Sequence, residues 1–143
     1  MKRAPHRLNS SVAASLIEAA FRARQNAVAP YSNFKVGAAL LARNGQIVTG
    51  ANVESASYGL TCCAERIALF KALTDGVNDF VAVAIVARGA GVATPCGACR
   101  QLLAEYAPNA VIFVTDARSL RKIKQFTVKA LLPHAFTDAT FER

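Results

Sequence analysis

The sequence predicts an α/β fold, a three-layer α/β/α domain built around a mixed five-stranded sheet. Two observations support this prediction. Helical and strand periodicities follow one another in the order α-β-β-α-β-α-β, with a further short strand near the end of the chain. One strand is a nearly continuous apolar, β-branched run, which is typical of a strand covered by helices on both faces.

Length and composition set further bounds. The chain has 143 residues, which we interpret as a single domain spanning residues 1–143. Hydrophobic residues make up 53% and charged residues 18%, which excludes an intrinsically disordered protein. Since no apolar run approaches the roughly 20 residues of a membrane span, we expect no membrane association. Lys2, Arg3 and Arg7 predict a basic lead into an amphipathic helix rather than an export signal, and therefore a cytoplasmic protein.

The first predicted element is this amphipathic helix. Apolar residues recur at helical spacing, as at Val12 and Leu16. Ser10 or Ser11 is predicted to cap the helix, because a hydroxyl can accept a hydrogen bond from the free amides of the first turn. Pro30 lies beyond its end.

A β-hairpin is predicted next. Apolar residues alternate at strand period from Phe34 to Leu40. Asn44-Gly45 is a strong turn signal, because both residues tolerate positive φ. Ile47–Ala51 is then the returning strand.

The rest of the chain alternates helices and strands. Residues 62–73 are predicted to form a helix and Phe80–Ala87 a strand buried on both faces. A third helix is predicted over Gly97–Tyr106. Residues 111–114 read as another buried strand, and residues 126–128 as a last short strand.

The net charge raises the question of a nucleic-acid partner. Seventeen Lys and Arg residues against nine Asp and Glu residues give +8. Residues 118–125 are unusually basic, with Phe126 as the nearby aromatic residue. We interpret this segment as a solvated surface hairpin and expect no nucleic-acid partner.

Four cysteines are too few for a disulfide scaffold, so they need another explanation. The two-residue spacing of Cys96 and Cys99 lets both sulfurs reach one tetrahedral ion, although a redox pair or half a zinc finger has the same spacing. An upstream motif narrows the choice. The three-cysteine version of the zinc nucleobase-deaminase signature matches Cys63-Ala64-Glu65 and Pro95-Cys96-Gly97-Ala98-Cys99.

This layout suits a catalytic site with one zinc ion per chain. Cys63 and the Cys96/Cys99 pair lie at predicted helix N-termini, where free N–H groups favour thiolate over thiol. Three protein ligands leave a fourth zinc position open, as in catalytic sites. Glu65 lies two residues after a ligand, so it can face the ion without binding it, where a proton carrier is needed.

Three nearby residues have alternative interpretations. Three thiolates and one Zn²⁺ carry a net charge of −1, and Arg66 could offset it by hydrogen bonding to a sulfur, or be an ordinary exposed helix arginine. We interpret Cys62 as a small buried side chain, because adjacent cysteines cannot easily bind one metal together with the others. If His134 were a fourth ligand, the zinc would have no open position and the site would be structural. Glu65 would then have no catalytic role.

With these motifs in place, the sequence resembles the small, homotetrameric cytidine deaminases of pyrimidine salvage, from about Leu8 to Phe136. Five ordered blocks carry the likeness: residues 30–38, PYSNFKVGA; 50–58, GANVESASY; 63–66, CAER; 95–101, PCGACRQ; and 131–136, LLPHAF. Ala51 stands where this family often has cysteine, and Ser55 where asparagine is common. Neither departure is expected to touch the chemistry.

The resemblance implies a reaction, the hydrolytic deamination of cytidine and 2′-deoxycytidine to uridine and 2′-deoxyuridine plus ammonia. It implies zinc on Cys63, Cys96 and Cys99, with Glu65 carrying a proton from water to N3 of the cytosine ring before attack at C4. It also implies substrate contacts: Phe34 and the backbone of Ala64 at the base, Asn52 and Glu54 at the ribose, and Ala56, Tyr58 and Phe136 completing a neighbouring subunit's site.

Simpler explanations exist for several of these residues when the resemblance is set aside. Phe34 fits a core position, Asn52 and Glu54 fit a turn, and Tyr58 and Phe136 fit ordinary packing. Two other functions also fit parts of the sequence. A four-ligand zinc module that binds nucleic acid leaves the glutamate of the zinc motif unexplained. A sister deaminase for blasticidin-type nucleosides lacks the Asn-x-Glu block, and one for bases within nucleic acid generally has a histidine as the first zinc ligand and a longer chain.

Overall fold

One mixed sheet of five strands forms the middle of the fold. In this computed structural model, which describes residues 8–89 and 93–140, the strands are Val36–Ala42 (β1), Ile47–Ala51 (β2), Phe80–Ala87 (β3), Val111–Asp116 (β4) and Ser119–Thr127 (β5). Their order is β2-β1-β3-β4-β5. The pair β3–β4 is parallel and the other three neighbouring pairs are antiparallel. The predicted mixed five-stranded sheet is confirmed.

Helices cover both faces of the sheet. They are Ser10–Arg24 (α1), Ala64–Thr74 (α2), Gly97–Tyr106 (α3) and the short Val128–Leu131 (α4). One buried cluster joins Leu16 and Ile17 of α1 to β1, β3 and β4. A second, on the opposite face, joins Leu69 of α2 and Leu103 of α3 to the same strands. The three-layer prediction is therefore confirmed. Within the described part of the chain, no helix is long and apolar enough to cross a membrane.

The β1–β2 hairpin turns at the predicted residues but begins later than predicted. Gly45 has a φ of 91°, and the amide of Ala42 donates to the carbonyl of Gln46 at 2.8 Å. β1 starts at Val36, not Phe34, because Asn33 adopts a φ of 56° and turns the chain just before the sheet. Phe34 therefore lies outside the strand.

Two glycines allow helices to approach the hairpin closely. A Cβ atom at Gly37 would lie 1.9 Å from the carbonyl oxygen of Ala20 in α1. A Cβ atom at Gly50 would lie 2.6 Å from the amide nitrogen of Ala68 in α2. Since any side chain would push these backbones apart, both positions need glycine. The contact at Gly50 fixes the helix that begins at the zinc motif.

Two helix starts differ from the predictions. Asn9, rather than Ser10 or Ser11, caps α1, and its side chain accepts from the amide of Val12 at 2.8 Å. Both serines already lie within the first turn of α1. Helix α2 begins at Ala64, since Cys63 is still extended. The basic lead predicted at residues 2, 3 and 7 lies outside the described residues.

The last strand is longer than predicted. β5 covers Ser119–Thr127 rather than residues 126–128, and Val128 already belongs to α4. Most of β5 is exposed, because it lies at the edge of the sheet and pairs with β4 alone. A mostly polar edge strand has no apolar alternation to reveal it. As expected, the basic residues of this segment lie on a surface hairpin.

Candidate active site

A pocket of about 250 Å³ opens where the N-termini of α2 and α3 meet the loops around β1 and β2. It is lined by the two segments at the starts of these helices, by two loop segments and by one residue of β3, and the lining includes Cys63, Cys96, Phe34, Asn52 and Glu54. Residues from five separate parts of the sequence thus meet in one cleft. The grooves beside the start of α1 are larger, but none of their lining residues is a cysteine, histidine or carboxylate.

Three sulfurs converge at this pocket. The Sγ atoms of Cys63, Cys96 and Cys99 all lie within 4.8 Å of one another, and those of Cys63 and Cys96 are 3.6 Å apart. Sulfurs bound at about 2.3 Å to one tetrahedral zinc ion would lie roughly 3.8 Å apart. The spacing and chemistry of these donors therefore fit zinc, and the three cysteines can hold the ion.

The negative charge of the cluster rests first on Cys63. The Cys99 thiol donates a hydrogen bond to the Cys63 sulfur and lowers the pKa of Cys63 to about 5, with the Arg66 guanidinium adding to the shift. The same hydrogen bond, together with burial, raises the pKa of Cys99. Cys63 and Cys96 are the N-cap residues of α2 and α3, where helix N-termini favour thiolate.

Glu65 lies beside the sulfurs and is almost completely buried. Glu65 is 6% exposed. It lies in the first turn of α2 and lines the pocket. Burial disfavours the carboxylate and raises the pKa of Glu65 to about 7. A carboxyl group with a pKa near neutrality can both accept and release a proton. Glu65 is outside the group of metal-ligating atoms, as its spacing predicts.

Arg66 faces the sulfurs. Its Nη2 atom lies 3.7 Å from the Cys63 sulfur and donates to the carbonyl of Thr61 at 3.0 Å. Its Nε atom is buried and, within the described residues, has no hydrogen-bond partner. The guanidinium is thus directed at the cysteine cluster rather than at open solvent.

Asn52 holds the segment that carries Phe34. Its Nδ2 atom donates to the carbonyl of Phe34 at 2.8 Å, and its Oδ1 atom accepts from the amide of Val36 at 2.8 Å. Each of these atoms has capacity for one more hydrogen bond. Asn52 therefore shapes the pocket wall and keeps polar capacity for a ligand. Phe34 is half-exposed and lines the pocket instead of entering the core.

Glu54 is held by a residue that the sequence interpretation did not single out. Its carboxylate accepts from the amides of Tyr31 and Ser32, at 3.0 and 3.1 Å, and from the Ser32 hydroxyl. These hydrogen bonds, led by the one from the hydroxyl, keep the pKa of Glu54 below its usual value. Only the position of Ser32 within the first family-like block could have pointed to it.

A comparison with known proteins identifies the family. Residues 10–115 match the family described as "Cytidine and deoxycytidylate deaminase zinc-binding region". The chain belongs to the cytidine deaminase family. The predicted resemblance is confirmed.

Individual members of the cytidine deaminase family are similar over most of the chain. A cytidine deaminase of Halalkalibacterium halodurans is 50% identical over 123 residues, which cover 85% of this chain and 92% of the relative. One of Sporosarcina psychrophila is 47% identical over 123 residues, 85% of this chain and 89% of the relative. The crystal structure of cytidine deaminase from Burkholderia pseudomallei has a TM-score of 0.82 at 45% identity, over 90% of this chain and all of that one.

Of the remaining cytidine deaminase-like positions, three lie outside the pocket and one, Ala64, lines it. Ala56 is exposed, Tyr58 is 78% exposed and Phe136 is 58% exposed, and none of the three lines the pocket of their own chain. Tyr58 packs edge-on against Tyr31, with ring centroids 6.2 Å apart. Ala64 is fully buried, and its N–H, at the first residue of α2, has no acceptor within the helix.

Cys62 and His134 lie outside the three-sulfur cluster. The side chain of Cys62 is only half-buried, since it forms part of the pocket wall instead of packing in the core as predicted. Its pKa is raised, first by partial burial. His134 adopts a φ of 56° in the loop after α4. The basic side chains of β5 are absent from the pocket lining as well.

Proposed function

We propose that this chain is a zinc-dependent cytidine deaminase. It hydrolyses cytidine and 2′-deoxycytidine, with one water molecule, to uridine and 2′-deoxyuridine plus ammonia. The observation that carries the proposal is the buried Glu65 carboxyl beside three sulfurs spaced for one zinc ion. We assign Cys63, Cys96 and Cys99 as the zinc ligands and Glu65 as the catalytic residue.

The chemistry that zinc supplies when bound is the acidification of water, which becomes a nucleophile near neutral pH. Glu65 accepts a proton from this water and delivers it to N3 of the cytosine ring, which prepares C4 for attack. Once the water oxygen has bonded to C4, Glu65 moves the remaining proton of that oxygen to the 4-amino group. The C4–N bond then breaks, the C4 carbonyl forms and ammonia leaves. Burial in the first turn of α2 suits Glu65 to this task, because bulk water cannot compete for its proton.

Two contacts orient the base. The free amide of Ala64 is assigned to the pyrimidine edge, at the start of the helix that carries Glu65. Phe34 offers its half-exposed ring to the face of the base, and Asn52 holds the backbone of Phe34 in place. Arg66 offsets part of the negative charge of the thiolates through its contact with Cys63.

Two polar residues are assigned to the ribose. Glu54 stays ionised, because Ser32 and the adjacent amides hold its charged form, so it can accept from sugar hydroxyls. Asn52 has one donor and one lone pair beyond its contacts with the Phe34 and Val36 backbone. Both line the pocket.

We further propose a homo-oligomer, a tetramer with shared active sites. The support is an exposed apolar surface beside the pocket. It consists of Val28, Tyr31, Val53, Tyr58 and Leu60, all at least 42% exposed. Clustered exposed apolar residues of this kind are typical of protein interfaces. We assign Ala56, Tyr58 and Phe136 to the site of a neighbouring subunit.

We assign the enzyme to pyrimidine salvage in the cytoplasm. A site made of three thiols suits a reducing compartment, since an oxidising one favours disulfides between neighbouring cysteines.

The decisive experiment is turnover of purified protein with cytidine, followed by the ultraviolet change to uridine. The zinc content is measured first and should be one ion per chain. Glu65→Gln should lower kcat by at least about a hundredfold, because general acid–base catalysis contributes factors of about 10² to 10⁴. Cys63→Ala should abolish both zinc binding and turnover.

Two control variants test whether the losses are specific to Cys63 and Glu65. Cys62→Ala removes the adjacent thiol outside the cluster and should keep the zinc ion. Glu18→Gln removes an exposed carboxyl on α1 and should keep full activity. Blasticidin S serves as a second substrate. The proposal fails if zinc-loaded protein leaves cytidine unchanged, or if it deaminates blasticidin S alone.

A further inference from the structure

Arg100 and Gln101 follow Cys99 directly on α3, and the reaction described above uses neither. Their side chains reach two segments that are distant in the sequence. One segment leads into the ligand Cys96. The other is the stretch 131–136, which begins at the last residue of α4 and carries Phe136.

The Arg100 guanidinium holds the approach to Cys96. Its Nε atom donates to the carbonyl of Pro95 at 2.7 Å, and its Nη2 atom donates to the hydroxyl of Thr94 at 2.8 Å. Pro95 is fully buried, so its carbonyl needs this donor. Residues 93–96 belong to neither a helix nor a strand, and the side chain of Cys96 makes no capping hydrogen bond. Arg100 thus gives this segment the hydrogen bonds that a helix or a strand would otherwise supply.

The third hydrogen bond of Arg100 ties this segment to the end of the chain. Its Nη1 atom donates to the carbonyl of Leu131, the last residue of α4, at 2.8 Å. Gln101 makes a separate tie, because its Nε2 atom donates to the carbonyl of Phe136 at 2.6 Å. The stretch 131–136 is therefore fastened to α3 at both ends, and only Arg100 of this pair also touches the segment before Cys96.

We propose that Arg100 is a positioning residue for zinc: by holding Thr94 and Pro95 against Leu131, it sets where Cys96 presents its sulfur. This inference rests on the proposed function in taking zinc to be bound by the three cysteines. Cys96 is the exposed member of the three, so its position depends most on outside support. The three acceptors lie in different directions around one planar guanidinium, a geometry that the single ammonium of lysine cannot reproduce.

The test is the rate at which zinc-loaded protein releases zinc to a chromogenic chelator, without substrate. Arg100→Met should release zinc at least about tenfold faster than wild type, because partners that orient metal ligands typically contribute 10- to 100-fold in affinity. Arg100→Lys should also release it faster, although the charge is kept. Arg121→Met removes the same charge from exposed β5 and should release zinc at the wild-type rate. Gln101→Ala loses the tie to Phe136 and a hydrogen bond to Glu105 within α3, but no contact with the segment before Cys96, and should do the same.

Two results would overturn the inference. One is zinc release from Arg100→Met at the rate of Arg121→Met. The other is equal acceleration by Gln101→Ala, which would place the effect in the carboxy-terminal stretch. If Arg100→Met does not fold, Thr94→Val removes one acceptor while keeping the side-chain shape, and wild-type release from that variant would overturn the inference equally. Turnover of cytidine by the wild-type protein is measured separately, so failure of the proposed function remains distinguishable.

Discussion

Glu65 shows how a single residue acquires its chemistry from its surroundings. Its neighbours in α2 include the fully buried Ala64 and Ala68, and the carboxyl has little access to water. The carboxyl of Glu54, in contrast, is held in its charged form by Ser32 and two amides. Two glutamates eleven positions apart thus have pKa values shifted in opposite directions. The raised pKa suits Glu65 to proton transfer, and the lowered pKa suits Glu54 to accepting hydrogen bonds from hydroxyl groups.

The buried Glu65 carboxyl predicts a pH-dependent stability in the zinc-free protein. Its pKa rises from 4.5 to about 7 on folding, so the protonated form stabilises the fold below pH 4.5, and this stabilisation is lost as the pH rises through about 7. The shift corresponds to about 3 kcal/mol. The free energy of unfolding of Glu65→Gln should therefore exceed that of wild type increasingly between pH 5 and pH 8.

The measurement is urea unfolding of both proteins under reducing conditions with a chelator. The difference between the two proteins at each pH reports the titration of Glu65, together with the electrostatic coupling of this carboxyl to the neighbouring cysteines. Glu18→Gln, at an exposed position, is the matched control. A difference that stays constant between pH 5 and pH 8 would contradict the prediction.

The hydrogen bond from the Ser32 hydroxyl to Glu54 predicts a separate effect on substrate binding. Ser32→Ala removes the hydroxyl that donates to Glu54 and accepts from the amide of Phe34 at 3.0 Å. Because hydrogen bonds to charged groups contribute about 1.5 to 3 kcal/mol, KM for cytidine should rise at least about tenfold, with a smaller change in kcat. Ser55→Ala, at the residue after Glu54, is the control, because the Ser55 hydroxyl accepts from the amide of Ser57 rather than donating to Glu54. Equal KM values for Ser32→Ala and wild type would show that Ser32 does not prepare Glu54.

At the scale of elements, the site depends on how closely α2 packs on β2. The helix lies against the strand at Gly50, and its first turn presents Cys63, Ala64 and Glu65. Helix α3 presents Cys96 and Cys99 in the same way, on the same face of the sheet. Two helix N-termini are thereby brought to one point, which places the sulfurs of Cys63 and Cys96, 33 residues apart in the sequence, 3.6 Å from each other.

Gly50→Ala tests this packing. The added methyl group would lie 2.6 Å from the amide nitrogen of Ala68 and 2.7 Å from the carbonyl of Ala64, so α2 must move. We expect destabilisation of about 1 to 3 kcal/mol in urea unfolding, together with reduced turnover. Gly59→Ala meets no atom within 4 Å and should retain wild-type stability. Equal stability of the two variants would contradict the close-packing argument.

At the scale of the whole molecule, the pocket stands beside an exposed apolar surface. Tyr58 and Leu60 are each more than 70% exposed, although they lie only a few residues from Cys63. A monomer would leave these side chains in water at a cost of about 25 cal/mol for each Å² of apolar surface. The shared active site proposed above would bury them and would bring Tyr58 to a neighbouring pocket.

A mixing experiment tests the shared site. Tyr58→Ser and Glu65→Gln should each have low activity alone, because each damages every site of its own oligomer. After the two are unfolded and refolded together, about a quarter of the sites should combine an intact Glu65 with an intact Tyr58 from a neighbour, and activity should return. Mixing Cys63→Ala with Glu65→Gln is the control and should restore none, since both residues belong to the same chain's pocket. Equal recovery in both mixtures, or in neither, would contradict the shared site.

The local sequence by itself determined the order of the main elements, the three cysteines and the glutamate beside them. These features are local, since periodicity sets a helix or strand, and a two-residue spacing places two sulfurs together. Only the tertiary structure decided the rest. β5 is longer than the sequence predicts, because the polar side chains of this edge strand show no apolar alternation. Phe34 lies outside β1, because the chain turns at Asn33. The tertiary structure also joined Ser32 to Glu54 and Arg100 to Leu131. These contacts link segments that approach each other only when the layers pack, so they cannot be predicted from local sequence patterns.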